Sequence, residues 1–234
     1  MHKDSFVMEP VAYIHSDFSE KFGIPRQSGL VEEVSAKIVF QSEYRSPEAL
    51  RGIEDFDYLW LLWKFSANRH DDWHPTVRPP RLGGNTRIGV FATRSPFRPN
   101  PLGLSCVKLL GVDWDSADGP ALLVAGADLL DGTPIYDIKP YLPHVESHPD
   151  ARGGFTAENT DYELKVNFPV HLLEQIPEEK RQALLGVLAQ DPRPAYQKDP
   201  KRVYGLSFAG YDVHFSVEEG TLTVCDINKM KQEG

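Results

Sequence analysis

Residues 76–105 read TVRPPRLGGNTRIGVFATRSPFRPNPLGLS. Prolines at 79, 80, 96, 99 and 101 exclude a helix through this stretch, because each lacks a backbone donor and clashes with the preceding turn. Between the proline loops lie β-type pieces. The reading predicts a strand over Thr86 to Thr93, a loop at 95–101 and a second strand over Gly103 to Val112. Further on, Pro120 to Ala127 is another β-type run, and residues 128–143, DLLDGTPIYDIKPYLP, place an Asp-Gly turn between extended pieces. Upstream, Asp57 to Phe65 is a buried strand by its Trp, Tyr and Leu content, and Ala36 to Phe40 and Val7 to His15 read as shorter ones. Residues 21–29, KFGIPRQSG, form a Gly/Pro loop, and Ser46-Pro47-Glu48 opens a short helix that ends near Gly52. No long amphipathic helix is predicted before about residue 150. Many short strands with frequent turns imply a mainly β fold, a barrel or a sandwich.

The pattern then changes. Residues 149–161, PDARGGFTAENTD, have linker composition. Leu164 to Phe168 reads as a strand. Pro177 to Gln190 is the clearest helix, with Glu178 and Glu179 in its first turn and Leu184, Leu185, Val187 and Leu188 as its apolar face. Strands follow at Val203 to Phe208, Tyr211 to Val217 and Thr221 to Asp226, the last two joined by a tight turn at Gly220. The expected organisation is a β-barrel domain over 1–150 and a small α+β domain over 160–234.

Hydrophobic residues make up 41% of the 234, enough for a core and too many for disorder. No apolar run approaches the roughly 20 residues that cross a bilayer, and MHKDSFVMEP has no secretory core. Cys106 and Cys225 suggest no disulfide framework, so a reducing cytoplasm is expected.

Net charge is −9, which taken globally argues against nucleic acid. Its distribution argues otherwise. From Trp73 to Val112 there is no Asp or Glu, while Arg78, Arg81, Arg87, Arg94, Arg98 and Lys108 contribute +6. Arginine offers a rigid fork of donors for carboxylate or phosphate oxygens, so this segment is a candidate anion-facing surface. The ordinary alternative is that these arginines pair with acids elsewhere in an acidic chain. Asp128, Asp131, Asp137 and Lys139 form a second cluster, able to hold an amine or hydroxyl or to accept a proton. Asp131-Gly132 also reads simply as a hairpin turn. His70/His74 and His144/His148 have metal-ligand spacing, but each pair runs directly into proline, and no metal site is assigned. Neither GxGxxG nor GxxxxGK[ST] is present, so a nucleotide-like cofactor would need another cradle.

Four segments together carry a resemblance: IPRQSG at 24–29, the central motif at 76–105, DLLDGTPIYDIKPYLP at 128–143 and DPRPAY at 191–196. With them the chain resembles the TsaA/TrmO family over nearly its whole length. The resemblance implies a β-barrel and a methyltransferase dependent on S-adenosylmethionine. It implies methylation of N6-threonylcarbamoyladenosine beside the anticodon of a tRNA, a threonine tRNA being expected, and a homodimer with the cofactor near the subunit interface. By matching position, the implied cofactor residues are Pro25, Arg26 and Gln27, then Phe65 and Ser66, then Arg94 and Leu104, and finally Leu129, Leu130, Asp131 and Gly132. Ser66 stands where the family carries His.

The N6 nitrogen to be methylated bears a carbamoyl group and a proton, and that proton must leave. Asp137 or Tyr141 is the expected acceptor, with Lys139 and Arg98 fixing the threonyl carboxylate. Arg78, Arg81, Arg87, Arg193 and Tyr196 are the expected RNA contacts, Tyr196 as a stacking platform for an unpaired base. Two other readings compete: an RNA-binding module without catalysis, and, more remotely, a metal-dependent hydrolase built on the His pairs.

Overall fold

The structure is a computed structural model, and it describes residues 6–66, 73–79, 82, 86–157, 162–194, 199 and 201–231. The first half of the chain supplies β1 (Ala12–His15), β2 (Ser35–Phe40), β3 (Tyr58–Lys64), β4 (Thr76–Val77), β5 (Ile88–Gly89), β6 (Leu102–Asp113), β7 (Ala121–Ala125) and β8 (Pro134–Pro140). Six of these make one antiparallel sheet in the order β1-β2-β7-β6-β3-β8, and β8 pairs back onto β1 through Ala12 and Ile135. The hydrogen bonding therefore closes on itself, which removes the exposed edges an open sheet presents. Closure leaves one face inside. Along β2 and β3 every second side chain is buried, as strand geometry requires. Ile14, Ile38, Leu59, Leu61, Leu122 and Ile135 are completely buried there, each side chain worth about 1.5–3 kcal/mol on transfer from water.

The strand expected over Thr86 to Thr93 is much shorter. β5 holds only Ile88 and Gly89, paired with β4, and the chain turns at Val90–Ala92. Of Val90, Phe91 and Ala92 only Val90 is buried, so the segment has one anchor and no continuous inward face. The short helix expected after Ser46 is two 3-10 turns, Pro47–Leu50 and Ile53–Asp55, with Gly52 left-handed between them.

The second half supplies two short helices, α1 (Pro143–Glu146) and α2 (Val170–Leu173), the strand β9 (Lys165–Asn167), the long helix α3 (Glu178–Ala189) and the strands β10 (Tyr204–Phe208), β11 (Tyr211–Glu218) and β12 (Thr221–Lys229). Neither short helix was expected. The four strands form a sheet in the order β10-β11-β12-β9, with β9 parallel to β12. Both hairpin turns, Ala209-Gly210 and Glu219-Gly220, have positive φ at both residues, the conformation that two-residue hairpins favour.

The second core sits between this sheet and α3, where Ala183, Leu184, Val187 and Leu188 are buried. The strands of the first sheet end at Pro140 and those of the second begin at Lys165, on either side of residues 149–161. Yet the second core also takes in Phe18, Val31 and Val34 from the first half. Phe18 meets Phe208 edge-on at 5.6 Å, and Val31 lies so close to Gly186 that a Cβ there would sit 2.6 Å from it. The segment leading from β1 to β2 thus belongs to both halves.

Candidate active site

A cavity of about 530 Å³ opens at one end of the closed sheet. Its first wall is the loop after Gly23, where Ile24, Pro25, Arg26 and Gln27 line it together with Lys21. Its second wall is the end of β3, continued by Phe65 and Ser66. Trp63 and Phe65 meet edge to face at 4.3 Å between centroids. Opposite Trp63 across the β3–β6 ladder is Gly103. A Cβ at 103 would lie 2.2 Å from the indole, so this glycine is what lets the ring lie flat on the strand. The rim is Arg94, Pro96 and Arg98 from the central motif, and Asp128, Leu130 and Thr133 close the cavity behind Leu102 and Leu104.

Polar groups converge on this space. Trp63 Nε1–H donates to Ser105 Oγ at 2.9 Å, and the Ser105 hydroxyl donates to Asp128 Oδ1 at 2.5 Å. Ser105 is fully buried, so the two bonds fix the indole and the carboxylate together. Burial pushes the Asp128 carboxyl above the usual carboxylate range; the Ser105 hydrogen bond and the Arg94 charge offset this only in part. Arg94 Nη1 donates to Gln27 Oε1 at 2.6 Å, tying the central motif to the first loop. Arg98 Nη2 donates to the Thr93 carbonyl at 3.3 Å. Among the described residues, none of Arg26, Arg94 and Arg98 forms an ion pair.

Eight of the eleven cofactor residues expected from sequence line the cavity: Pro25, Arg26, Gln27, Phe65, Ser66, Arg94, Leu104 and Leu130. The other three lie beside it. Leu129 is buried in the first core, and Asp131 and Gly132 make the turn. Asp131 Oδ1 accepts the Ser16 amide at 3.0 Å and lies 3.5 Å from His15 Nδ1, so this carboxylate holds the turn against β1.

Of the four expected catalytic residues, only Arg98 lines the cavity. Asp137 and Lys139 stand on β8 as a 2.9 Å ion pair, with Asp137 Oδ1 also accepting the Ile138 amide. Tyr141 packs edge-on against Trp60 and Tyr58.

Sequence reasoning missed Trp63 and Gly103 as members of the site, and it placed Asp128 in the carboxylate cluster without counting it among the cofactor residues. A readable signal existed for the two that were missed. Trp63 and Gly103 fall at the ends of strands that were both expected.

Among the expected RNA contacts, Arg78 and Arg87 are exposed, and Arg87 Nη1 donates to Thr76 Oγ1 at 3.2 Å. Arg81 and Tyr196 lie outside the described residues. Arg193 is a correction. Its side chain is only 13% exposed, and its Nε and Nη2 donate to the two carboxylate oxygens of Asp191 at 2.8 and 2.9 Å. A cation next to a buried carboxylate is held inside, so Arg193 has no fork left for a phosphate.

Comparison with known proteins adds the following. The tRNA-methyltransferase O N-terminal domain family matches residues 13–147, and the TrmO C-terminal domain family matches residues 161–230. The chain is 42% identical over 228 residues to the tRNA (adenine(37)-N6)-methyltransferase of Escherichia coli K12, covering 94% of this chain and 97% of that protein. It is 41% identical over 216 residues to a putative S-adenosylmethionine-dependent methyltransferase, RcsF, of Pseudomonas aeruginosa, covering 89% and 91%. A crystal structure of TrmO from Pseudomonas aeruginosa superposes with a TM-score of 0.76 at 32% identity, over 96% of this chain and 99% of that one. The chain belongs to the tRNA-methyltransferase O family.

Proposed function

We propose that this protein is an S-adenosylmethionine-dependent tRNA methyltransferase acting on N6 of adenine 37, as the 42% identical Escherichia coli relative is named. In finer detail, its substrate base is N6-threonylcarbamoyladenosine in a threonine tRNA, and it works as a cytoplasmic homodimer. The closed six-stranded sheet is read as the family's β-barrel, in two domains, 1–150 and 160–234.

The observation that carries the reading is the cavity's donor set. A partly buried carboxylate, two aromatic rings and, among the described residues, three arginines without ion-pair partners share one space. That set fits S-adenosylmethionine, which offers an adenine, hydroxyls, an ammonium and a carboxylate. Trp63 and Phe65 supply the apolar wall for a flat ring. Asp128 is the acceptor for an ammonium or hydroxyl, and Arg26 and Arg94 are the donors for a carboxylate. The bound cofactor supplies an electrophilic methyl group. The chain's own task is then to hold the attacking nitrogen in line, exclude water and accept one proton. Arg98 at the rim and Lys139 on β8 fix the threonyl carboxylate, and Asp137 or Tyr141 accepts the N6 proton. Arg78, Arg87 and Arg81 draw in the RNA backbone.

The test uses purified protein, labelled S-adenosylmethionine and tRNA with or without the threonylcarbamoyl group. Label is expected on N6 of the modified base only, by nucleoside mass spectrometry. No transfer to either tRNA would reject the activity, and transfer to unmodified tRNA would reject the finer substrate. Full turnover by Asp137→Asn would leave Tyr141 as the proton acceptor.

A further inference from the structure

Asp191 lies far from the reacting atoms in sequence, at the end of α3, with a backbone φ of 51°. Its carboxylate is 12% exposed and fully engaged. Oδ1 accepts from the Arg193 amide and Nε, and Oδ2 accepts from Arg193 Nη2 and, at 3.2 Å, from the Tyr162 hydroxyl. The amide of Asp191 donates to the Leu188 carbonyl at 3.2 Å. Pro192 and Pro194 follow. This left-handed turn is therefore held from the side chain, the helix end and the sequence after it. What the turn presents outward is its carbonyl, which accepts Arg26 Nη2 at 3.4 Å. Arg26 lines the cavity. From Arg26 the bonding continues: its carbonyl accepts Gln27 Nε2 at 2.5 Å, and Gln27 Oε1 accepts Arg94.

The loop containing Arg26 has few other anchors in the first sheet. Ser28 Oγ accepts the Cys106 amide, and the Gly29 amide donates to Gly126. Before Pro25, the Phe18 carbonyl accepts the Asp131 amide at 2.8 Å, and several further contacts run to the second half. Lys180 pairs with Asp17 at 2.6 Å, the Ala209 amide donates to the Asp17 carbonyl, and Glu20 accepts the Ser207 amide. Phe22 stacks on Tyr204 at 6.5 Å. The cavity wall is thus braced from the C-terminal half as well as from the first sheet.

Resting on the function proposed above, we infer that Asp191 is a positioning residue for the cofactor: its clamped turn holds Arg26, and through Arg26 the Gln27–Arg94 pair, in the binding conformation. The C-terminal half is then part of the cofactor site although none of its described residues lines the cavity.

The experiment compares wild type with Arg26→Ala, Asp191→Ala, Asp191→Asn and the Arg26→Ala/Asp191→Ala double variant. S-adenosylhomocysteine affinity is measured by calorimetry and loop exchange by hydrogen–deuterium mass spectrometry on peptides covering residues 18–29. Melting temperature is recorded beside both. Asp191→Ala is expected to weaken binding about fivefold, the scale of one lost hydrogen bond. The double variant should bind no more weakly than Arg26→Ala alone, because the two act in series. Asn tolerates the left-handed turn, so Asp191→Asn should recover part of the loss. Faster exchange over residues 18–29 should accompany Asp191→Ala. Losses that multiply in the double variant, or unchanged affinity and exchange beside a lower melting temperature, would overturn the inference and leave Asp191 a purely structural residue. If wild type binds no S-adenosylhomocysteine, the proposed function fails by itself. The exchange arm still decides whether Asp191 orders the loop.

Discussion

Two aspartates, one at the mouth of the closed sheet and one at the end of α3, are buried in opposite ways. Asp128 faces the cavity and is held by the neutral Ser105 hydroxyl, and burial drives its carboxyl upward. Asp191 is also pushed upward by burial, but the hydrogen bonds and charge of Arg193 outweigh that and hold it below the ordinary value. One carboxylate, beside an open space, has a neutral hydroxyl partner and no ion pair among the described residues; the other has a bidentate arginine. A desolvated acid without an ion-pair partner costs stability and is a candidate place for a ligand that supplies charge or a donor. A buried acid with a bidentate arginine is architecture.

The largest expected effect comes from breaking the paired site. Arg193→Ala leaves the Asp191 carboxylate buried alone and should cost about 3 kcal/mol of stability, measured by urea unfolding. A loss within about 0.5 kcal/mol would mean that water reaches Asp191 and the contrast is false. Asp128→Asn should do the reverse. It removes a buried charge while keeping an acceptor for Ser105, so stability holds or rises, yet cofactor affinity should fall about tenfold. Equal loss of both would make Asp128 a structural residue.

The same contrast should appear with pH. Asp191, with its carboxyl lowered, contributes stability that is present above its unfolded value and lost as pH falls through the folded one. Asp128, with its carboxyl raised, costs stability while ionised, and that cost is relieved as pH falls through its folded value. Unfolding free energies below pH 7 should show wild type weakening against Asp191→Asn and gaining against Asp128→Asn. Parallel slopes would cancel the distinction. The smallest effect is at the exposed surface. Arg87→Ala should leave the fold within about 0.5 kcal/mol and lower the salt slope of tRNA binding by about 0.7–0.9. An unchanged slope would remove Arg87 from the RNA face.

Much of the fold was legible because composition between turn signals, and helical spacing, report burial. The strands β3, β6, β7, β11 and β12 and the helix α3 lie where β-type composition and helical spacing place them. The stretch at 86–93 misled because β-type composition is not pairing: among the described residues its strand partner is the two-residue β4. The site was half legible. Arg94 stood in the segment free of acids, Arg26 and Gln27 came only from the family resemblance, and the three meet at the cavity. Asp128 stood in the carboxylate cluster, but nothing local says that Ser105 on another strand will bury it. Arg193 misled for a similar reason. In DPRPAY it reads as an exposed cation, whereas its partner is the Asp two positions before it, turned back by the positive φ of that residue.

Residues 18–34 are made before the elements that cover them. The ribosome delivers Phe18, Val31 and Val34 well before α3 and the second sheet that cover them. A nascent chain that has already closed its first sheet still carries this apolar strip uncovered, in the interval when unfinished chains are most prone to associate. Synthesis of the C-terminal half then acts on its own N-terminus in the manner of a chaperone, and a chain cut short near residue 150 should come out of the cell as aggregate.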